Sequence, residues 1–287
     1  MTAVTAREVT RRFGTFTAVD TASLDVAPGE IVGLVGANGA GKTTLIKMIL
    51  GLLAPSAGTI RLFGEAPTRD QRRRIGYVPQ NLGLYLDLTG DENLEFRADV
   101  FGVRAREDAH AAVRDAHELV KTLSLGDQRR LAFVAATQHR PELLVFDEPT
   151  SGVSPLSRSD LWDQIHDYAD AGAAVLVSTH HMDEADQTDR LVVMARGRVV
   201  AHGTPHEIVD GRQVIEVRAA RWNDALEALD ARGWHAALTG RTVRVLSDRL
   251  DAVTAELTAS GIPVEARRAP ASLDEVMLAL SLAPDPG

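Results

Sequence analysis

Eight residues, GANGAGKT at positions 36–43, constrain this chain more than any other feature. They follow the pattern of a glycine, four residues, then Gly-Lys-Thr, which is that of a phosphate-cradling P-loop. The run before them, IVGLV (31–35), is apolar and β-branched and reads as a buried strand. The run after them, TTLIKMILGLL, reads as a helix. Strand, glycine loop and helix in that order aim backbone N–H groups and the positive end of a helix dipole at one point. Gly36, Gly39 and Gly41 let amides approach phosphate oxygens closely, with Asn38, Ala40 and Thr44 counted among the nucleotide contacts. Lys42 neutralises the β and γ phosphates of ATP, and Thr43 offers a hydroxyl to Mg2+.

Two further strand patterns supply groups that suit this loop. ELLVFDEP (142–149) is a buried-strand run closed by acids and a proline, and AAVLVSTHH (173–181) is a third. A carboxylate at the end of a buried strand beside a P-loop threonine holds magnesium, which assigns Asp147. The adjacent Glu148 is placed to polarise a water for attack on the γ phosphate. Taken alone, Asp-Glu-Pro is an ordinary turn, and only the P-loop upstream gives it this meaning. His180 closes the third strand, where side chains reach the ligand crevice of a parallel sheet, although neighbouring His181 offers the same chemistry. Gln80, at the end of IGYVPQ, is a loop glutamine to which the pattern alone assigns no role.

Three buried strands separated by helical patterns predict an α/β core. Residues 91–140, rich in Ala, Leu, Glu and Arg, read as a mostly helical insertion, and residues 19–35 as short strands. LVVMARGRVVAHG reads as a hairpin punctuated by glycine. Beyond residue 212 the order changes to strand, helix, strand, strand, helix, strand, followed by a last helix, SLDEVMLALSL. That βαββαβ order predicts a small ferredoxin-like α+β domain at 213–287, behind a nucleotide-binding domain at 1–210. The length of 287 residues suits two domains.

Charge and composition remove several alternatives. Forty acidic against 31 basic residues, net −9, argue against a nucleic-acid partner. The absence of cysteine excludes thiolate catalysis, disulfides and thiolate metal sites. The N-terminal stretch lacks the apolar core of a signal peptide, and no run approaches the roughly 18 apolar residues of a membrane span.

GANGAGKT, YVPQ, LSLGDQRRL (123–131), LLVFDEPTSG (143–152) and VSTHHMDEA (177–185), in this order, resemble the Walker A, Q-loop, signature, Walker B and H-loop motifs of ABC ATPases. The resemblance covers about residues 4 to 210. AVDTASLDVAPGEIVGLVG and NLGLYLDLTGDENLEF are similar to exporter members, and the tail ending SLDEVMLALS resembles the C-terminal extension of the drug and polysaccharide exporter branch. The resemblance implies a P-loop NTPase core that binds ATP and Mg2+. By that likeness Phe13 stacks on adenine, Gln80 links magnesium and the attacking water to a membrane partner, and His180 contacts the γ phosphate. Ser124 and Gly126 of the signature would bind ATP held by a second cassette, identical or different. A separate transmembrane permease would be the other partner, holding the chain at the inner face of the cell membrane. Three departures stand out: Leu125 and Asp127 alter the signature, Ser154 replaces the usual D-loop aspartate, and the stretch from Phe101 to Leu123 is short. Beside the export motor stand two alternatives: a degenerate cassette regulating an active partner, and a soluble ABC ATPase outside transport. The C-terminal domain reads equally as a ligand-sensing or dimer-stabilising module and as a structural appendage.

Overall fold

The computed structural model describes residues 2–104 and 113–282. The chain divides into two compact units, Met1–Thr204 and Pro205–Gly287.

The first unit is built on a six-stranded sheet. Its central strands, β3 (Ile31–Val35), β6 (Leu143–Asp147) and β7 (Ala174–Thr179), are buried at every position. Such uninterrupted apolar runs form when helices or a second sheet cover both faces of a parallel sheet. The strand order is β5-β6-β7-β3-β8-β9, with β5 (Ile75–Val78), β8 (Arg190–Ala195) and β9 (Arg198–Gly203). All pairs are parallel except the β8–β9 hairpin, which turns through Arg196 and Gly197 at positive φ. On one face α1 (Lys42–Ile49) is sandwiched beneath a three-stranded antiparallel layer, β2-β1-β4. Those strands are β1 (Val4–Phe13), β2 (Phe16–Val26) and β4 (Ala57–Leu62). On the other face α4 (Leu125–Thr137) and α5 (Pro155–Asp170) bury Phe133, Trp162 and Ile165 against Phe146 and Val177. Between β4 and β5 lies a single short turn of helix, α2 (Arg69–Arg72).

The antiparallel layer is where the sequence reading fell short, since it placed no strand before residue 19. The reason is visible in the pairing: β1 shifts register against β2 between Ala6 and Val9 and again before Arg11. Each bulge reverses which side chains face inward, so the period-two alternation that marks a half-buried strand is lost. The helical insertion is also less continuous than expected. It contains α3 (Gly90–Phe101), closed by a Thr89–Glu92 capping box, and α4, capped by the Ser124 hydroxyl. Residues 113–123 are turns with one short helical turn at Val120–Thr122. The expected helix over 105–112 lies outside the described residues.

The second unit opens with α6 (Pro205–Val209) and carries a four-stranded antiparallel sheet in the order β11-β12-β10-β13. The strands are β10 (Gln213–Ala219), β11 (Ala236–Thr239), β12 (Thr242–Val245) and β13 (Val264–Pro270). The helices α7 (Trp222–Asp230) and α8 (Leu250–Ala259) bury Ala225, Leu229, Val253 and Leu257 against Ile215, Val217 and Val243. This is the alternation of a ferredoxin-like sheet. The last helix, α9 (Leu273–Leu282), is tied to the sheet by Glu275, which accepts two bonds from Arg244 at 2.5 and 3.0 Å. Among the described residues, no helix is long and apolar enough to cross a membrane.

Candidate nucleotide site

The chain leaves β3 at Val35 and turns at once through the glycine loop into α1. Two glycines there are required by close packing. A Cβ on Gly36 would lie 2.3 Å from the Met194 carbonyl oxygen, and one on Gly41 would lie 2.6 Å from that of Ala18. Gly41 also takes φ +103°, a value open to glycine at little cost. The loop is thereby held against β2 and β8 with its amides and the start of α1 facing one cleft. Lys42 is 4 % exposed. Its Nζ donates to the Gly36 carbonyl at 2.7 Å and the Ala37 carbonyl at 3.3 Å, and lies 3.5 Å from Glu148 Oε1.

The end of β6 delivers the acids. Asp147 Oδ1 accepts from Thr43 Oγ1 at 3.2 Å and from Ser178 Oγ at 2.6 Å. Ser178 belongs to the neighbouring strand β7 and also accepts the Glu148 N–H at 3.0 Å, so one hydroxyl fixes both acidic residues. Burial, with the Asp147 charge adding to it, pushes the Tyr77 phenol up to about 12.

Glu148 sits at φ +52°, in the left-handed region that costs a non-glycine residue about 1–2 kcal/mol. Hydrogen bonds on both sides hold it there. Its N–H donates to Ser178, and its carbonyl accepts from Arg129 Nη1 of α4 at 3.3 Å. The resulting side chain meets three candidate residues at once: besides Lys42, Gln80 Nε2 donates to Oε2 at 3.3 Å and His180 Nδ1 lies 3.4 Å from the same oxygen. Three residues from three separate segments, the loop after β5, α1 and the end of β7, therefore converge on the one carboxylate that follows β6. The two histidines, open in the sequence, are placed differently. His180 faces Glu148, whereas the His181 ring stacks obliquely on that of His180 with centroids 4.2 Å apart.

The cleft at this point has a volume of about 340 Å³, and its lining includes Asn38, Lys42, Thr43, Gln80, Glu148 and Phe16. Phe16 was missed by sequence reasoning, which selected Phe13. The two aromatics pair across the β1–β2 turn, but Phe13 is outside the lining and its ring lies under the Arg11 guanidinium at 4.5 Å. The sequence signal was two phenylalanines three apart, with nothing to rank them.

The signature residues lie elsewhere. Ser124 and Gly126 line a second cleft of about 300 Å³ with Asp127, Arg129, Ser157 and Leu161. Asp127 is bound locally: Ser124 Oγ donates to its Oδ2 at 2.5 Å and receives its N–H at 3.2 Å. Ser154 serves as the N-cap of α5, accepting the Ser157 N–H at 3.2 Å.

The donor set fits magnesium. Thr43 and Asp147 provide adjacent hard oxygens, and Mg2+ is ordinarily bound by one or two carboxylates together with phosphate oxygens and water.

The model of the ABC transporter family matches residues 19–151. The probable multidrug ABC transporter ATP-binding protein YbhF of Escherichia coli is 39 % identical over 219 residues, which cover 72 % of this chain and 38 % of that protein. The chain thus spans about two fifths of that relative's length. The Nod factor export ATP-binding protein I of Burkholderia lata is 37 % identical over 293 residues, covering 96 % of this chain and 95 % of its own. A solved ATP-binding subunit of an ABC transporter is similar with a TM-score of 0.66 and 29 % identity, over 72 % of this chain and 91 % of that one.

Proposed function

The chain belongs to the ATP-binding proteins of the ABC transporter family, and from that premise we propose that it is the ATP-hydrolysing subunit of an exporter. The observation that carries the reading is the convergence of Lys42, Gln80 and His180 on the Glu148 carboxylate beside Thr43 and Asp147. The P-loop amides and Lys42 hold the β and γ phosphates, and the aromatic pair Phe13 and Phe16 receives the adenine. Thr43, Asp147 and Gln80 hold Mg2+, which neutralises charge on the phosphates when bound. Glu148 takes a proton from the attacking water, and His180 donates toward the γ phosphate. What supports Glu148 as the base is a carboxylate beside the P-loop lysine that is approached from three sides.

In this reading the working unit is a pair of cassettes. Ser124 and Gly126, at the N-terminus of α4, address ATP held by the other cassette, and a transmembrane permease carries the cargo. The chain is then held at the inner face of the cell membrane by that permease. Its relatives' names, multidrug transport and Nod factor export, support export as the direction. The test is magnesium-dependent phosphate release by the purified chain, with association followed by size-exclusion chromatography in ATP. Turnover together with an ATP-dependent dimer is expected; absence of ATP binding would end the proposal. Binding without turnover would instead favour a cassette that regulates an active partner, a reading that Asp127 and Ser154 keep in view.

A further inference from the structure

The guanidinium of Arg129 is almost wholly buried, in a place the site chemistry does not explain. It stands on α4, two residues after Asp127, and reaches out of its helix to the loop that follows β6. Nη1 donates to the carbonyls of Glu148 and Pro149, and Nη2 donates to that of Ser151. Three carbonyls within four residues of that loop are thereby tied to one side chain. The loop is the one that holds Glu148 at φ +52°, a conformation that does not persist without outside restraint. Ser178 restrains it from the N–H side; on the carbonyl side a local turn bond from the Ser151 N–H at 3.4 Å is joined by Arg129, the restraint that comes from outside the loop. The acid facing the guanidinium is Glu184, whose own oxygens are engaged by Thr150, Thr179 and Arg158.

We propose that Arg129 is the positioning residue that holds the Glu148 backbone in its left-handed conformation and ties the carboxylate's aim to the placement of α4. The proposal rests on the reading of Glu148 as general base. A loop released from Arg129 relaxes toward ordinary backbone angles, which swings the Glu148 side chain away from Lys42, Gln80 and His180. Because Arg129 and the Ser124 cap share the first turn and a half of α4, a shift of that helix moves the base. Nucleotide binding, which depends on the P-loop, is not weakened by this linkage, since a Glu148 side chain that leaves Lys42 only frees that ammonium for phosphate.

The test compares Arg129→Met, Arg129→Lys, Glu148→Gln and the double variant Arg129→Met/Glu148→Gln with the full chain. Steady-state phosphate release is measured beside titration with a fluorescent ATP analogue, and single-turnover hydrolysis of labelled ATP resolves the slow variants. Arg129→Met is expected to lower kcat by about 10- to 100-fold while the analogue's Kd does not rise and falls by at most about fivefold. The double variant is expected to match Glu148→Gln, because the two residues act as one unit. Arg129→Lys, which keeps a cation but reaches fewer carbonyls, is expected between wild type and Arg129→Met. A wild-type kcat in Arg129→Met, or a further tenfold loss in the double variant, overturns the proposal. Should Arg129→Met fail to fold, Arg129→Lys decides: a several-fold lower kcat with no weakening of the analogue's binding supports it, and a wild-type kcat overturns it. Wild-type turnover in Glu148→Gln would instead sink the general-base reading, a distinct failure.

Discussion

Glu148→Gln separates nucleotide binding from hydrolysis in this site, and the geometry sets both signs. Glutamine is nearly isosteric and keeps an acceptor for the Gln80 amide now 3.3 Å from Oε2, so the local packing survives. What is lost is the proton acceptor and one negative charge. Loss of a positioned general base slows proton transfer by about 10²–10⁴-fold, equivalent to roughly 2.7–5.4 kcal/mol on the barrier. The charge effect runs the other way for binding. Glu148 lies 3.5 Å from Lys42, and both side chains are at most 9 % exposed. At an effective dielectric of about 20, the bare attraction across that distance is about 5 kcal/mol. Part of it competes with phosphate for the same ammonium group. If a fifth of that competition survives relaxation, neutralising Glu148 tightens ATP binding by about 1 kcal/mol, or about fivefold. The assay is phosphate release at saturating MgATP with a parallel titration of a fluorescent ATP analogue. Turnover within threefold of wild type would refute the base assignment. Unchanged or weaker binding would refute the idea that Glu148 and phosphate compete for Lys42.

Other perturbations address separate parts of the structure. Asp127→Asn removes the negative charge of the carboxylate that accepts the Ser124 hydroxyl, and ATP-dependent association should tighten while α4 loses about 0.3–1 kcal/mol of dipole stabilisation, the Ser124 cap on the backbone N–H being kept; an unchanged association midpoint would mean that the charge faces away from the second nucleotide. Gly36→Ala places a methyl group 2.3 Å from the Met194 carbonyl, so nucleotide affinity should fall at least about tenfold in the same titration. Phe146→Ala empties a position 1 % exposed whose ring stacks on Phe133 at 5.5 Å, and chemical denaturation should register a loss of about 3–5 kcal/mol. Burial holds the His139 imidazole below its ordinary pKa, with Arg97 adding to the effect and the bond to the Ile75 carbonyl opposing it. Because the folded pKa is the lower one, the unfolded chain binds the proton first. Stability is therefore retained above about pH 6.5 and lost as pH falls through the folded value, and His139→Gln should flatten that decline in unfolding midpoints between pH 7.5 and 5.

The chemistry of the nucleotide site was legible in the sequence because most of it depends on contiguous residues. A P-loop works through the backbone amides of one short segment and the side chains of Lys42 and Thr43, and Asp147 and Glu148 sit together at the end of one apolar run. The βαββαβ order of the second unit was legible for a similar reason, since each element there is short and cleanly patterned, as the fully buried Val243 and Val245 of β12 illustrate.

Other features are distributed over the chain, and no local pattern records them. The bulges of β1 erased its alternation, so the antiparallel layer over α1 emerges only when β2 and β4 are seen to pair with it. His180 and His181 are chemically alike, and only the direction of the chain leaving β7 turns one of them toward Glu148. Phe16 joins the cleft because the hairpin carries it there. Arg129 drew no notice in the sequence; 19 residues separate it from Glu148, and only the fold brings its guanidinium onto that backbone. Sequence alone determined which groups could bind and cleave a nucleotide, because covalent neighbours carry that information. Tertiary structure decided how the acid is aimed, because a left-handed Glu148 exists only where Ser178 and Arg129, remote in the chain, hold it from both sides.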